Sequence, residues 1–112
     1  MGRSRAKGTA WETAIVTYLQ TRGWPTAERR ALAGRNDRGD IAGVVGVCIE
    51  AKSAARLELA VWADQTRAET INAAARVGAV WIRRRGKPNP ADGYVLLDGH
   101  TFTELLKEAG YQ

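Results

Sequence analysis

Apolar residues recur along the chain with two periods, and the change between them marks out the elements. Trp11, Ile15, Tyr18 and Leu19 fall three or four residues apart, the stripe of an amphipathic helix. Thr9 fits the N-cap of that helix and Glu12, three residues on, completes a capping box. Gly23 and Pro25 end it. Thr26 to Ala33 is short and reads as a strand leading into a sheet, followed by the glycine-bounded polar loop Gly34 to Gly39. From Gly39 to Lys52 the pattern becomes that of two short strands joined by a tight turn. A long helix is predicted from about Glu58 to Val77, with Val61, Ala68, Ile71 and Ala75 on its inner face, Trp62 widening it, and Gly78 as its cap. Ala79–Ile82 and Tyr94–Leu97 read as strands on either side of a loop rich in Gly and Pro. A second capping box, Thr101 to Glu104, opens a last helix that Gly110 ends; Phe102, Leu105, Leu106 and Ala109 share one of its faces. The order αβββαββα implies an α/β fold, a mixed central sheet flanked by helices.

The hairpin from Gly39 to Lys52 is chemically unusual. Side chains alternate along a strand, so Glu50 and Lys52 share one face while Ile49 and Ala51 share the other. The turn folds Asp40 back towards Glu50. Two carboxylates and an ammonium then surround one point. Hard oxygen ligands of this kind hold Mg²⁺ with several of its waters. A metal held there polarises a phosphoryl oxygen and acidifies a bound water, and a lysine can orient that water or stabilise developing charge. Asp37, in the preceding loop, is a rival acid ranked below Asp40. Gln65 reads locally as a surface residue or a neighbour of the acidic cluster. His100 has no partner histidine or cysteine nearby and reads as a surface residue.

Charge sharpens this picture. Lys and Arg total 17 against 12 Asp and Glu in 112 residues, giving an isoelectric point near 9.9. Basic proteins of this size often meet nucleic acid. Residues 1–8 form a basic arm with Arg3, Arg5 and Lys7, expected to be flexible, and residues 9–112 form one domain. Arg35, Arg38, Arg84 and Arg85 are phosphate-contact candidates, because a guanidinium pairs bidentately with phosphate. Tyr94 and the tryptophans read as core. The single Cys48 excludes an internal disulfide framework and reads as a packed thiol in a reducing compartment. No apolar run approaches the ~18 residues of a membrane span, and the N-terminus lacks a signal-peptide core.

With Asp40, nine intervening residues and then Glu50-Ala51-Lys52, the chain resembles the PD-(D/E)xK nuclease superfamily. Its order of elements is most similar to the archaeal-type Holliday-junction resolvases and their phage relatives. The resemblance runs from Gly8 to about Ala109. Gly39 stands where the superfamily's name has a proline. The resemblance implies a restriction-endonuclease-like core and a metal site of Glu12, Asp40 and Glu50, with the Ala51 carbonyl as a further ligand and Lys52 positioning the nucleophilic water. It also implies roles for Gln65 on the following helix and for Ser53, straight after the lysine, near DNA. The expected activity is Mg²⁺-dependent (or Mn²⁺-dependent) cleavage of branched DNA by a homodimer, in the cytoplasm of a bacterium or phage-infected host. An exonuclease or another DNA endonuclease on the same scaffold, and a non-catalytic basic DNA-binding module, are the alternatives.

Overall fold

A computed structural model describes residues 2–31 and 37–112, with side chains from Gly8 onward. Arg35 therefore lies outside the described residues, as do the side chains of Arg3, Arg5 and Lys7. The elements are α1 (Gly2–Thr21), β1 (Glu28–Arg29), β2 (Ile41–Ala42), β3 (Val47–Lys52), α2 (Leu59–Asn72), β4 (Val77–Ile82), β5 (Tyr94–Leu96) and α3 (Gly99–Glu108), with a 3-10 turn at Pro90–Asp92 before β5. The result is an α/β fold of three helices and a five-stranded mixed sheet in which neighbours in space are neighbours in sequence. Among the described residues only β3 and β4 run parallel, joined through α2; the other pairs are antiparallel. Among the described residues, no helix is long and apolar enough to cross a membrane.

Each face of the sheet has its own core. Trp11, Ile15 and Leu19 of α1 pack on Ala27, Ile41 and Ile49, with Ala51 and Trp81 at the margin. Trp62 of α2 packs on Val80 and Ile82, with Leu96 beside them. Alternation along β3 and β4 separates these two sets. Ile49, Ala51 and Trp81 face α1, while Glu50, Lys52, Val80 and Ile82 face α2.

Several expected boundaries and faces are corrected. The first helix begins at Gly2 rather than Thr9, so residues 2–8 belong to it and Thr9 is interior. A glycine inside a helix costs about 1 kcal/mol, and Arg, Ala and Lys around Gly8 are good enough helix formers to run through it. Glu12 closes no capping box; it reaches sideways to Arg29 at 3.0 Å. The last helix is capped by Asp98, whose carboxylate accepts the Thr101 N–H at 2.7 Å, and not by Thr101. Of the strand expected across Thr26 to Ala33, the described residues form only the two of β1, and residues 32 and 33 lie outside the described residues. The second helix stops at Asn72, five residues before the expected end, and Gly78 is not its cap. Gly78 lies in β4 directly beneath α2, where a methyl group would collide with the Thr70 hydroxyl.

The largest departure concerns the face of α2. Its buried residues are Trp62, Thr66 and Glu69, whereas Val61 and Ile71, expected inside, are 61% and 73% exposed. In α3 none of the apolar stripe is buried. Tyr94, read as core, is half exposed, and so is Trp24.

Candidate metal centre

The hairpin forms as its sequence requires. Gly39 enters β2 at φ +94°, and a Cβ there would meet Cys48 Sγ and the Ile49 carbonyl at 2.9 Å. Only glycine fits that approach. It delivers the Asp40 N–H to the Ile49 carbonyl at 2.8 Å. One step further along β3 the two strands part, because β2 pairs with β3 only through Ile41 and Ile49. The Ala51 N–H is left without a backbone partner on that side, and the Asp40 carboxylate takes it, Oδ2 accepting at 2.8 Å. Ala51 thus contributes a backbone donor that fixes Asp40.

Glu50 points from the same parting into the space under α2, where it is only 4% exposed. Its carboxyl is pushed far above the ordinary carboxylate range, first by burial, then by hydrogen bonding with the carboxyls of Glu69 and Asp40 and by their charge. Glu69 arrives from α2 and is 3% exposed. Burial raises its pKa as well, and the Asp37 charge adds to that, while contacts with Glu50 and Gln65 pull it down. One carboxylate oxygen each from Asp37, Glu50 and Glu69 lie within 4.8 Å of one another. Asp40 flanks this group through its contact with Glu50.

Two of the four buried side-chain polar atoms without a partner among the described residues are Glu50 Oε2 and Glu69 Oε1. A buried carboxylate oxygen left unpaired is costly. Such an atom keeps a proton or awaits a cation. Two of them in one acidic group form a donor set of hard oxygens with unused lone pairs, the chemistry that Mg²⁺ or Mn²⁺ takes. The residues fit a divalent ion.

Lys52 and Gln65 complete the surroundings. Lys52 Nζ donates to Gln65 Oε1 at 3.3 Å and lies 6.0 Å from the centre of the Trp62 ring. Gln65 Nε2 in turn donates to Glu69 Oε2 at 3.1 Å. The glutamine therefore ties the ammonium to the acidic group and holds one oxygen of Glu69, leaving the other free.

Of the residues singled out from the sequence, Asp40, Glu50, Lys52 and Gln65 come together. Glu12 does not join the acidic group. It pairs with Arg29, and Asp40 acts on it only through space, a minor contribution beside the burial that raises its pKa. Asp37, ranked below Asp40, is inside the group; its Oδ1 also accepts the Gly39 N–H at 2.9 Å. Glu69 was not singled out. The one available signal was its position four residues after Gln65, one helical turn away on the same face. Arg38 is exposed, and its carbonyl accepts the Cys48 thiol at 3.4 Å. Burial pushes that thiol up to about 11, so Cys48 is a packing group. Arg84 is turned over the Tyr94 ring, 5.7 Å from its centre. Ser53 and Arg85 line a groove on the opposite, α1, face of the sheet. No protein-family model matches this chain, and neither a curated protein nor a solved structure matches it.

Proposed function

We propose that the chain is a divalent-metal-dependent DNA endonuclease with a restriction-endonuclease-like core, acting on branched DNA such as four-way junctions. The observation that carries this reading is the pair of buried oxygens without a partner among the described residues, Glu50 Oε2 and Glu69 Oε1, on carboxyls grouped with Asp37 and flanked by Asp40. Each of those atoms keeps a proton or takes a cation, and one divalent ion would serve both at once. The Asp40…Glu50-Ala51-Lys52 spacing and the order of elements point the same way, and so does the net charge of +5.

Glu50 and Glu69, with Asp37 and Asp40 at their sides, would hold the ion. When bound, it would polarise a phosphoryl oxygen and acidify a water for attack on phosphorus. The Ala51 N–H keeps the Asp40 carboxylate turned towards Glu50. Gln65 keeps Glu69 in place through one oxygen and aligns the Lys52 ammonium through its own carbonyl. Lys52 is the group able to donate to the attacking water or to the charge that grows on the phosphoryl oxygens. Glu12, salt-bridged to Arg29, is left with positioning β1 against α1. Cutting both strands of a junction symmetrically calls for two copies, so the reading includes a two-fold homodimer.

The test is cleavage of a labelled four-way junction and a linear duplex of the same sequence, each with Mg²⁺ and with EDTA. The junction should be cut only with Mg²⁺, and Glu50→Gln should abolish cutting while retaining binding. Wild-type protein that binds both DNAs and cuts neither, with Mg²⁺ or Mn²⁺, would overturn the reading and leave a DNA-binding module. Shortening from the ends of the linear duplex would reassign the enzyme as an exonuclease.

A further inference from the structure

On the α1 face a groove of about 520 Å³ opens between α1, the segment after β3 and the segment after β4. We propose that this groove holds the sugar-phosphate backbone of one DNA strand, with Arg83 and Arg85 taking its phosphates. This rests on the nuclease reading and extends it to the path of the substrate.

Arg83 and Arg85 both line the groove. Neither is in an ion pair among the described residues, and no carboxylate is among the lining residues. Extended backbone alternates its side chains, and the intervening Arg84 is turned away onto Tyr94. Of the three consecutive arginines, two therefore face the groove and one does not. The opposite wall is apolar, made by Ala10 and Ala14 with the buried Trp11 behind them. Trp11 has already given its N–H to the Trp81 carbonyl at 3.0 Å, so that wall presents carbon and no donor from the indole. Guanidiniums on one side and carbon on the other match a strand that is phosphate along one edge and sugar along the next.

The groove is fastened to the metal centre. The Arg83 N–H donates to the Lys52 carbonyl at 2.8 Å, and Ser53, the next residue, is in the lining. Glu50 faces α2 and the groove lies on the other face, so a DNA strand would pass over the end of β3 to reach both. From Glu50 to Ser53 is roughly 10 Å of extended chain, the rise of about three nucleotides at about 3.4 Å each. The arginines would thus grip the strand a few nucleotides from the scissile phosphate.

Binding of the full chain to labelled single-stranded, duplex and four-way-junction DNA is measured in EDTA across a salt series, with cleavage in Mg²⁺ run in parallel. Arg83→Gln/Arg85→Gln should weaken binding about tenfold or more and reduce the slope of log affinity against log salt by about 2, roughly one per lost phosphate contact. Arg84→Gln should change affinity less than twofold. Circular dichroism and a thermal melt check that the double variant folds; if it does not, Arg85→Gln alone should reduce the slope by about 1. A folded double variant that binds with wild-type affinity and slope overturns the groove assignment, and so does wild-type protein that binds no DNA. If such a variant also cuts normally, the nuclease stands and only the groove falls. If the arginines govern binding but nothing is cut, the groove stands and the nuclease falls.

Discussion

The two faces of the sheet solve different problems with helices of similar sequence character. The α1 face is sealed by carbon: Ile15 is fully buried, Trp11 and Leu19 nearly so, and the Trp11 indole spends its one donor on the Trp81 carbonyl. The α2 face buries Trp62 at one end and then Thr66 and Glu69, against Glu50. It turns Val61 and Ile71 to the surface. A helix chosen only for stability would carry apolar side chains where Thr66 and Glu69 lie. What holds α2 in its actual rotation is Trp62 on Val80 and Ile82, the close approach of Thr70 to Gly78, and the Lys52–Gln65–Glu69 chain of hydrogen bonds. One face supplies stability, and the other gives up some of it to bring carboxylates together.

That contrast can be broken experimentally. The largest effect is expected on the α1 face: Ile15→Ala should cost about 2–5 kcal/mol of unfolding free energy by urea titration, since it opens a cavity in close-packed carbon. A loss below 1 kcal/mol would mean this face is not the stabilising one. On the α2 face the sign should reverse. Glu69→Gln should leave the metal-free protein as stable as wild type or more so, by about 1–3 kcal/mol, because it removes an uncompensated buried acid. The same change should abolish the rise in Tm that Mg²⁺ gives the wild type. A strongly destabilised Glu69→Gln variant would mark the glutamate as a structural group.

Acidity sharpens the same point. Glu50 and Glu69 have folded pKa values raised above the ordinary glutamate value of about 4.3. Between that value and the raised folded ones the native state binds more protons than the unfolded chain. Metal-free stability is therefore greatest below about pH 4.3 on account of these groups and falls as pH rises through the folded values. Thermal melts in EDTA should show Tm falling from pH 5 to pH 8, with Mg²⁺ restoring it most at the alkaline end, where the ion competes least with protons. Asp98, held below its ordinary range by the Thr101 N–H, acts only in more acidic solution. A metal-free Tm that climbs with pH would contradict the buried acidic pair. The smallest effect belongs to the exposed side of α2, where Val61→Ser should move stability by no more than about 0.5 kcal/mol. A loss of 2 kcal/mol or more would restore the inward-facing reading of that residue.

Much of the site was legible where chemistry follows from local geometry. The hairpin, the convergence of Asp40 with Glu50, and the placing of Lys52 on the same face as Glu50 all depend on alternation and a tight turn within fourteen residues, 39–52, whereas Lys52 bonds to Gln65 of α2 rather than to either acid. Glu69 and Asp37 were not so legible. Glu69 reaches the site only through the rotation of α2, and apolar periodicity assigned that rotation the wrong way. Asp37 reaches it because the chain bends at Gly39, and a bend does not reveal which side of a strand the preceding residue will lie on. Glu12 shows the converse: its spacing from Thr9 matched a cap, but Arg29, distant in sequence, offers a charge that a helix-interior threonine cannot.

The sequence by itself determined the order of the elements, the mixed sheet, the apolar face of α1 and the acid–acid–lysine hairpin. These rest on spacings of one to four residues, within which backbone geometry leaves little choice. Tertiary structure alone decided which face of α2 is buried, which acids share a centre and which two of the three arginines face the groove. Those outcomes depend on close approaches between separate elements, Gly78 of β4 under Thr70 of α2 and Arg84 over Tyr94 of β5 among them. Packing there overrides local preference.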